Sequence, residues 1–229
     1  MRNFAKPFAQ NAFTLAEVLI TLGIIGIVAA LTIPTILSNT QDQSLKSGLK
    51  AGYSIISQAF SAVINENSGS AKNLCSSGDH VCFLDAFDKQ LSFIKKCGIA
   101  ENGCWDPNKI KYLYNFEGTS YTVGNKTTAI LKNGMTLALE YGDETCESDW
   151  YSQAIDFKVC GTLQIDVNGL KKPNTKGRDM FIFWVTKDRL LPFGSQGDKY
   201  DGRTIDYCDP SKSFSVNGYS CAAKYLQNQ

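Results

Sequence analysis

The stretch Ala12–Leu37, "AFTLAEVLITLGIIGIVAALTIPTIL", decides how the rest of the chain is read. From Val18 to Leu37 it carries no charge across twenty residues. A helix of that length is roughly 30 Å long, the thickness of a bilayer's hydrocarbon core. Glu17 stands at the edge of the run. A carboxylate entering hydrocarbon costs several kcal/mol, so the sequence predicts a partner for it. Arg2 and Lys6 precede the run with no acid among residues 1–12, the charge order of an insertion signal whose start stays in the cytoplasm. A cleaved secretory signal is shorter and is followed by its small residues. Here Asn11 and Ala12 come before the run, so a cut at that place leaves the apolar segment on the mature chain.

Apolar periodicity continues past Leu37. Leu45, Leu49, Tyr53, Ile56, Phe60 and Val63 recur at steps of three and four, a narrow stripe on one helix face. The sequence therefore predicts one helix from about Phe13 to about Asn65, ended by "ENSGS" and kinked at Pro34, which lacks a backbone N–H. Half of it is a membrane span. The other half is an amphipathic spine that needs a surface to pack on.

These residues resemble the N-terminal segment of type IV pilins and type II secretion pseudopilins. The shared motif is a small residue, then Phe, Thr, Leu, any residue, Glu, and an apolar run with glycines and a proline; it covers Ala12 to about Leu37. The resemblance implies that a prepilin peptidase cuts between Ala12 and Phe13 and methylates the new Phe13 amine. The family usually has glycine before the cut, where this chain has Ala12. It also implies assembly with other pilin or pseudopilin subunits through the helix, with Glu17 meeting a neighbouring Phe13 amine. The segments expected are a cytoplasmic leader at 1–12, a transmembrane and assembly half at 13–37, an amphipathic half at 38–66 and an exported globular domain at 67–229. The resemblance further implies a single-pass chain anchored in the inner membrane, its C-terminal domain extracytoplasmic, and a mature subunit that can be extracted into a pilus or pseudopilus fibre.

The exported part carries all eight cysteines, Cys75, Cys82, Cys97, Cys104, Cys146, Cys160, Cys208 and Cys221. An even count confined there reads as a disulfide framework in an oxidising compartment. Zinc is disfavoured, since there is no CxxC and His80 is the only histidine. Eight cysteines allow 105 connectivities. Pairing of sequence neighbours is preferred, because short loops close early and the segments between them are polar: Cys75–Cys82, Cys97–Cys104, Cys146–Cys160 and Cys208–Cys221.

"CFLDAFDKQLSFIKKC", from Cys82, has apolar residues at 83, 84, 87, 91 and 94 and predicts a second amphipathic helix. "TTAILKNGMTLALEY" predicts a hairpin turning at Asn133-Gly134, and "VCGTLQIDV" and "DMFIFWV" add two strands. The fold expected is α+β and disulfide-rich, with the long helix packed on a small antiparallel sheet.

"IDVNGLKKPNTKGRDMFIFWV" looks like a strand-loop-strand found in pseudopilin-like proteins. Asp166, Asn168, Asn174 and Asp179 offer oxygens around its turn, as a calcium loop does. A structural turn without metal is the preferred reading, since Asp and Asn in turns bond their own backbone and Lys171 and Lys172 stand beside only two carboxylates. No cofactor is expected, with calcium the alternative. No catalytic motif is present, and the acidic cluster Asp143, Glu144, Glu147 and Asp149 reads as a solvated loop. A net charge of +1 gives no indication of a nucleic-acid partner or of a general electrostatic hold on a membrane. The function expected is structural rather than enzymatic. The alternatives are a minor pilin for adhesion or DNA uptake, and a signal-anchored exported enzyme or binding protein.

Overall fold

The computed structural model describes residues 13–99, 101–105, 111–113, 126–147, 157–198, 205–209, 211–212 and 217–227. The chain divides into two compact units, Met1–Gln43 and Ser44–Gln229. Helix α1, Leu15–Glu66, contributes to both.

Within the second unit, α1 buries the face that its periodicity marks. Leu45, Leu49, Ile56, Phe60 and Val63 are all buried. Tyr53 stacks on Phe183 with ring centres 5.3 Å apart, and its hydroxyl donates to the Leu190 carbonyl at 3.2 Å. Gly52 lets the helix come close to the sheet, because a Cβ there would overlap the end of Met135 and crowd Ile165. The helix stops where "ENSGS" begins. Ser68 and Gly69 take positive φ angles, and the Gly69 N–H turns back to the Ile64 carbonyl at 2.7 Å, the left-handed exit that glycine makes inexpensive.

The strands are β1 (Phe93–Cys97), β2 (Lys111–Tyr112), β3 (Thr127–Leu131), β4 (Thr136–Tyr141), β5 (Gly161–Asp166), β6 (Thr175–Lys176), β7 (Met180–Val185) and β8 (Leu190–Pro192). They form one sheet in the order β1-β3-β4-β5-β7-β6-β2, with β8 also paired to β7. The longer strands pair antiparallel. Among the described residues, each parallel contact involves one of the two-residue strands, β2 with β6 and β6 with β7. Among the described residues, two short α-helices, α2 (His80–Asp85) and α3 (Cys221–Leu226), and a 3-10 turn at Ile205–Cys208 accompany the sheet. The architecture is α+β and disulfide-rich, as the sequence predicts.

β7 reads as an unbroken apolar run because both of its faces are covered, and β5 is buried along its length although Thr162, Gln164 and Asp166 alternate with Leu163 and Ile165. Phe181, Phe183 and Val185 join the core beneath α1, while Ile182 and Trp184 join a second cluster with Val159 and Phe193. Trp184 stacks on Phe193 at 4.1 Å, and its indole N–H donates to Asp198 at 2.8 Å. Gly161 opens β5 against Glu140, whose carbonyl oxygen occupies the place a side chain would need.

The helix expected from Cys82 to Cys97 is not formed. α2 ends at Asp85, and Phe93–Cys97 is strand β1, paired with β3 through Lys96 and Cys97 opposite Ala129 and Thr128. Phe83, Leu84, Phe87 and Leu91 are buried as their spacing requires, but Ile94 is 65% exposed. A helix this short has little stability of its own. Backbone pairing to β3 offers the segment more, and Lys96 reinforces the reversal by bridging Asp85 and Asp88, both at 2.7 Å.

Four disulfides join Cys75 to Cys82, Cys97 to Cys104, Cys146 to Cys160 and Cys208 to Cys221. Each closes a loop between cysteines adjacent in sequence order, and no free cysteine is left among the described residues.

Candidate functional site

Phe13 and Thr14 precede the first helical residue, Leu15. Thr14 and Glu17 bond reciprocally: the Glu17 N–H donates to Thr14 Oγ1 at 3.2 Å, and the Thr14 N–H donates to Glu17 Oε2 at 2.9 Å. The Thr14 hydroxyl adds a third bond to the same carboxylate oxygen at 2.8 Å. This is a capping box, which satisfies backbone donors that the first helical turn leaves open. The carboxylate thus has a partner three residues away in its own chain. Thr-x-x-Glu before an apolar run is a readable sign of this cap.

The rest of this unit presents apolar surface. Leu19, Leu22, Ile25, Ile27 and Leu31 are all exposed, and the helix is long and apolar enough to cross a membrane. Three of its hydroxyls are turned inward: Thr21, Thr32 and Thr40 donate to the carbonyls of Glu17, Val28 and Ile36 at 2.9 Å. Each of these is thereby satisfied within the helix. Pro34 lies inside α1. Ala12, the residue before the expected cut, lies outside the described residues.

Of the oxygens considered for calcium, those of Asp166 and Asp179 act as caps on backbone N–H groups of one turn, whereas Asn168 Oδ1 is buried without a hydrogen-bond partner. Asp179 is fully buried, and its two carboxylate oxygens accept the N–H groups of Asn174 and Thr175 at 2.8 and 2.6 Å. Asp166 accepts the Asn168 N–H at 3.2 Å, and the Asn168 amide donates to the Lys172 carbonyl at 3.1 Å. Burial pushes the Asp179 carboxyl up to about 6, against the downward pull of the Thr175 and Asn174 N–H groups. Among the described residues, no three His, Cys, Asp or Glu side chains are grouped to hold a metal. Gly169, at φ +67°, seats this turn against the β3–β4 hairpin, where the Gly134 carbonyl fills the space of a Cβ.

His80 is buried and accepts the Tyr141 N–H through Nδ1 at 3.0 Å. Burial lowers its pKa below the ordinary histidine value. A neutral ring capping a strand end is a structural histidine. The acidic loop is used in the same way. Asp143 accepts the N–H groups of Thr145 and Glu147 at 2.9 and 2.6 Å, Glu144 accepts that of Ser77 at 3.2 Å, and Glu147 pairs with Lys72 at 2.6 Å. Asp149 lies outside the described residues. Sequence reading also missed the half-buried pair of Lys126 and Glu140, which Thr162 joins through its hydroxyl. The two residues stand fourteen positions apart and share no local motif.

Residues 7–33 match the family described as the prokaryotic N-terminal methylation motif. No curated protein and no solved structure matches the chain.

Proposed function

We propose that this chain, whose methylation motif is typical of type IV pilins and pseudopilins, is a structural subunit of a type II secretion pseudopilus or a type IV pilus. A prepilin peptidase cuts between Ala12 and Phe13 and methylates the Phe13 amine. The mature chain rests in the inner membrane with its C-terminal domain outside the cytoplasm, then assembles with other pilin or pseudopilin subunits. One observation carries the reading: the motif at residues 7–33 covers the stretch of α1 whose large apolar side chains are exposed. Such a surface needs lipid or neighbouring helices to cover it. Once cut, the chain has an amine four residues before Glu17. In a stack of staggered helices, that amine on one subunit meets Glu17 of another and sets their register, with Pro34 as the bend in the span. The mature protein is expected to begin at methylated Phe13. Intact-mass analysis checks this, and cleavage after Leu37 or an uncut Met1 start refutes it.

The turn held by Asp166 and Asp179 works without a metal in this reading. What supports it is that both oxygens of Asp179 are already engaged by N–H groups. Chelator is expected to leave the melting temperature unchanged. A drop that calcium reverses, and that Asp166→Ala abolishes, would make the turn a calcium loop.

A further inference from the structure

The net charge of +1 conceals an uneven surface at one end of the Ser44–Gln229 unit, where three segments distant in sequence meet. Gly48 of α1 lies so close to Val167 that a Cβ would stand 3.3 Å from its side chain. Gly169 lies against the Gly134 carbonyl of the β3–β4 hairpin, and Met135 of that hairpin reaches Gly52. The exposed charges these segments carry are all positive: Lys46, whose ammonium lies 4.6 Å over the Tyr225 ring, and Lys50 on α1, Lys132 on the hairpin, and Lys171 and Lys172 after β5. Leu170 is 47% exposed beside the last two. The carboxylates of Asp166 and Asp179, which would offset them, are buried and engaged by backbone N–H groups. Between Glu17 and Glu66, α1 has one acid, Asp42.

We propose that this lysine-rich end docks on the anionic headgroups of the membrane that holds the apolar part of α1. The inference rests on the membrane-anchored reading above. Two observations select lipid as the occupant. First, the uncharged run ends at Leu37 and the domain unit begins at Ser44. Lys46 and Lys50 are therefore tethered near the lipid surface once the run is in the bilayer. Second, an exposed leucine followed by two lysines is the composition of an interfacial contact: the apolar side chain enters the headgroup boundary while the ammonium groups stay with lipid phosphates. Tethering supplies a high effective concentration, so contacts too weak to recruit a free protein are enough to orient an anchored one. The patch thereby holds the subunit on the membrane until assembly lifts it away.

The test uses the full chain in nanodiscs of neutral phosphatidylcholine, with or without phosphatidylglycerol. Co-elution with the discs reports insertion, and hydrogen exchange at residues 130–135 and 167–173 reports docking. Exchange in both segments is expected to slow several-fold in the anionic discs only. High salt should reverse the effect, since surface charge is screened over about 10 Å or less at and above ordinary ionic strength. The double variant K171E/K172E should also abolish it, without changing exchange in β5 and β7. Equal exchange in neutral and anionic discs would overturn the proposal while leaving the anchored reading intact. Slowing that follows the number of chains per disc in neutral lipid would overturn it in favour of a second copy on the patch. A chain that does not co-elute with discs would refute the anchored reading, and this proposal with it.

Discussion

Glu17→Ala is expected to insert, be cleaved and form its four disulfides, yet fail to enter fibres. Two roles of Glu17 have to be separated to test this. In the described chain the carboxylate caps α1 through Thr14, and its loss leaves the Thr14 N–H without that acceptor. In a fibre it is proposed to pair with a neighbour's Phe13 amine among packed apolar helices. Stranding one charge of such a pair costs about 3–5 kcal/mol. Glu17→Gln tells the two apart, because glutamine still accepts the Thr14 N–H but carries no charge. It is expected to lower incorporation at least tenfold, equivalent to about 1.4 kcal/mol or more. Thr14→Val, which removes the hydroxyl and keeps the carboxylate, should assemble nearly as well as the unmodified chain. The measurement is the subunit's share in sheared filament fractions relative to the cell. Wild-type incorporation of the glutamine variant beside failure of Thr14→Val would assign the effect to the cap.

Asp179→Ala is expected to destabilise the domain by about 2–4 kcal/mol at neutral pH, because it leaves two buried N–H groups, those of Asn174 and Thr175, without acceptors. Asp179→Asn keeps one acceptor and should lose less. The pH dependence is more specific. The folded-state pKa is raised from 3.8 to about 6, so the folded protein holds the proton more tightly than the unfolded chain does. This contribution to stability is fully present below about pH 3.8 and is lost as pH rises through about 6. The stability difference between the unmodified chain and Asp179→Asn should therefore shrink across that window and be flat above it. His80 acts in the opposite sense, since its lowered pKa removes stability as pH falls below 6.5, but it is common to both proteins and cancels. Urea unfolding with the disulfides intact gives the difference. A flat or rising difference across the window refutes the burial account.

Reading the sequence went furthest where one periodicity extended over many residues. The stripe from Leu45 to Val63 could have only one buried face, and Asn133-Gly134 between two strand-like runs marked a hairpin, in which Gly134 takes the positive φ. It failed where a short window fitted two periods. Phe83, Leu84, Phe87 and Leu91 are spaced as on a helix and are buried, yet the segment turns after Asp85, and the β3 edge takes Phe93–Cys97 as a strand. Polar sites divided in the same way. The Thr14–Glu17 cap lies within one turn and was readable. The lysine-rich end combines α1, the hairpin and the loop after β5, so no window of sequence contains it. The net charge, summed over the chain, averages it away.

The core beneath α1 also sets an order of events. The chain is made from its N-terminus, so Leu49, Ile56 and Phe60 exist long before Ile165, Phe181 and Phe183, the β5 and β7 residues that share their cluster. The four disulfides span separations of 7, 7, 14 and 13 residues and can close as each pair emerges. Phe87 can cover part of Phe60 early, but full burial of the helix has to wait for β7. Closing contacts this far apart in sequence is the slow step of a domain. For that interval the protein is a cross-linked chain with its spine bare, and whatever shelters Ile56 and Phe60 in the meantime determines how much of it folds rather than aggregates.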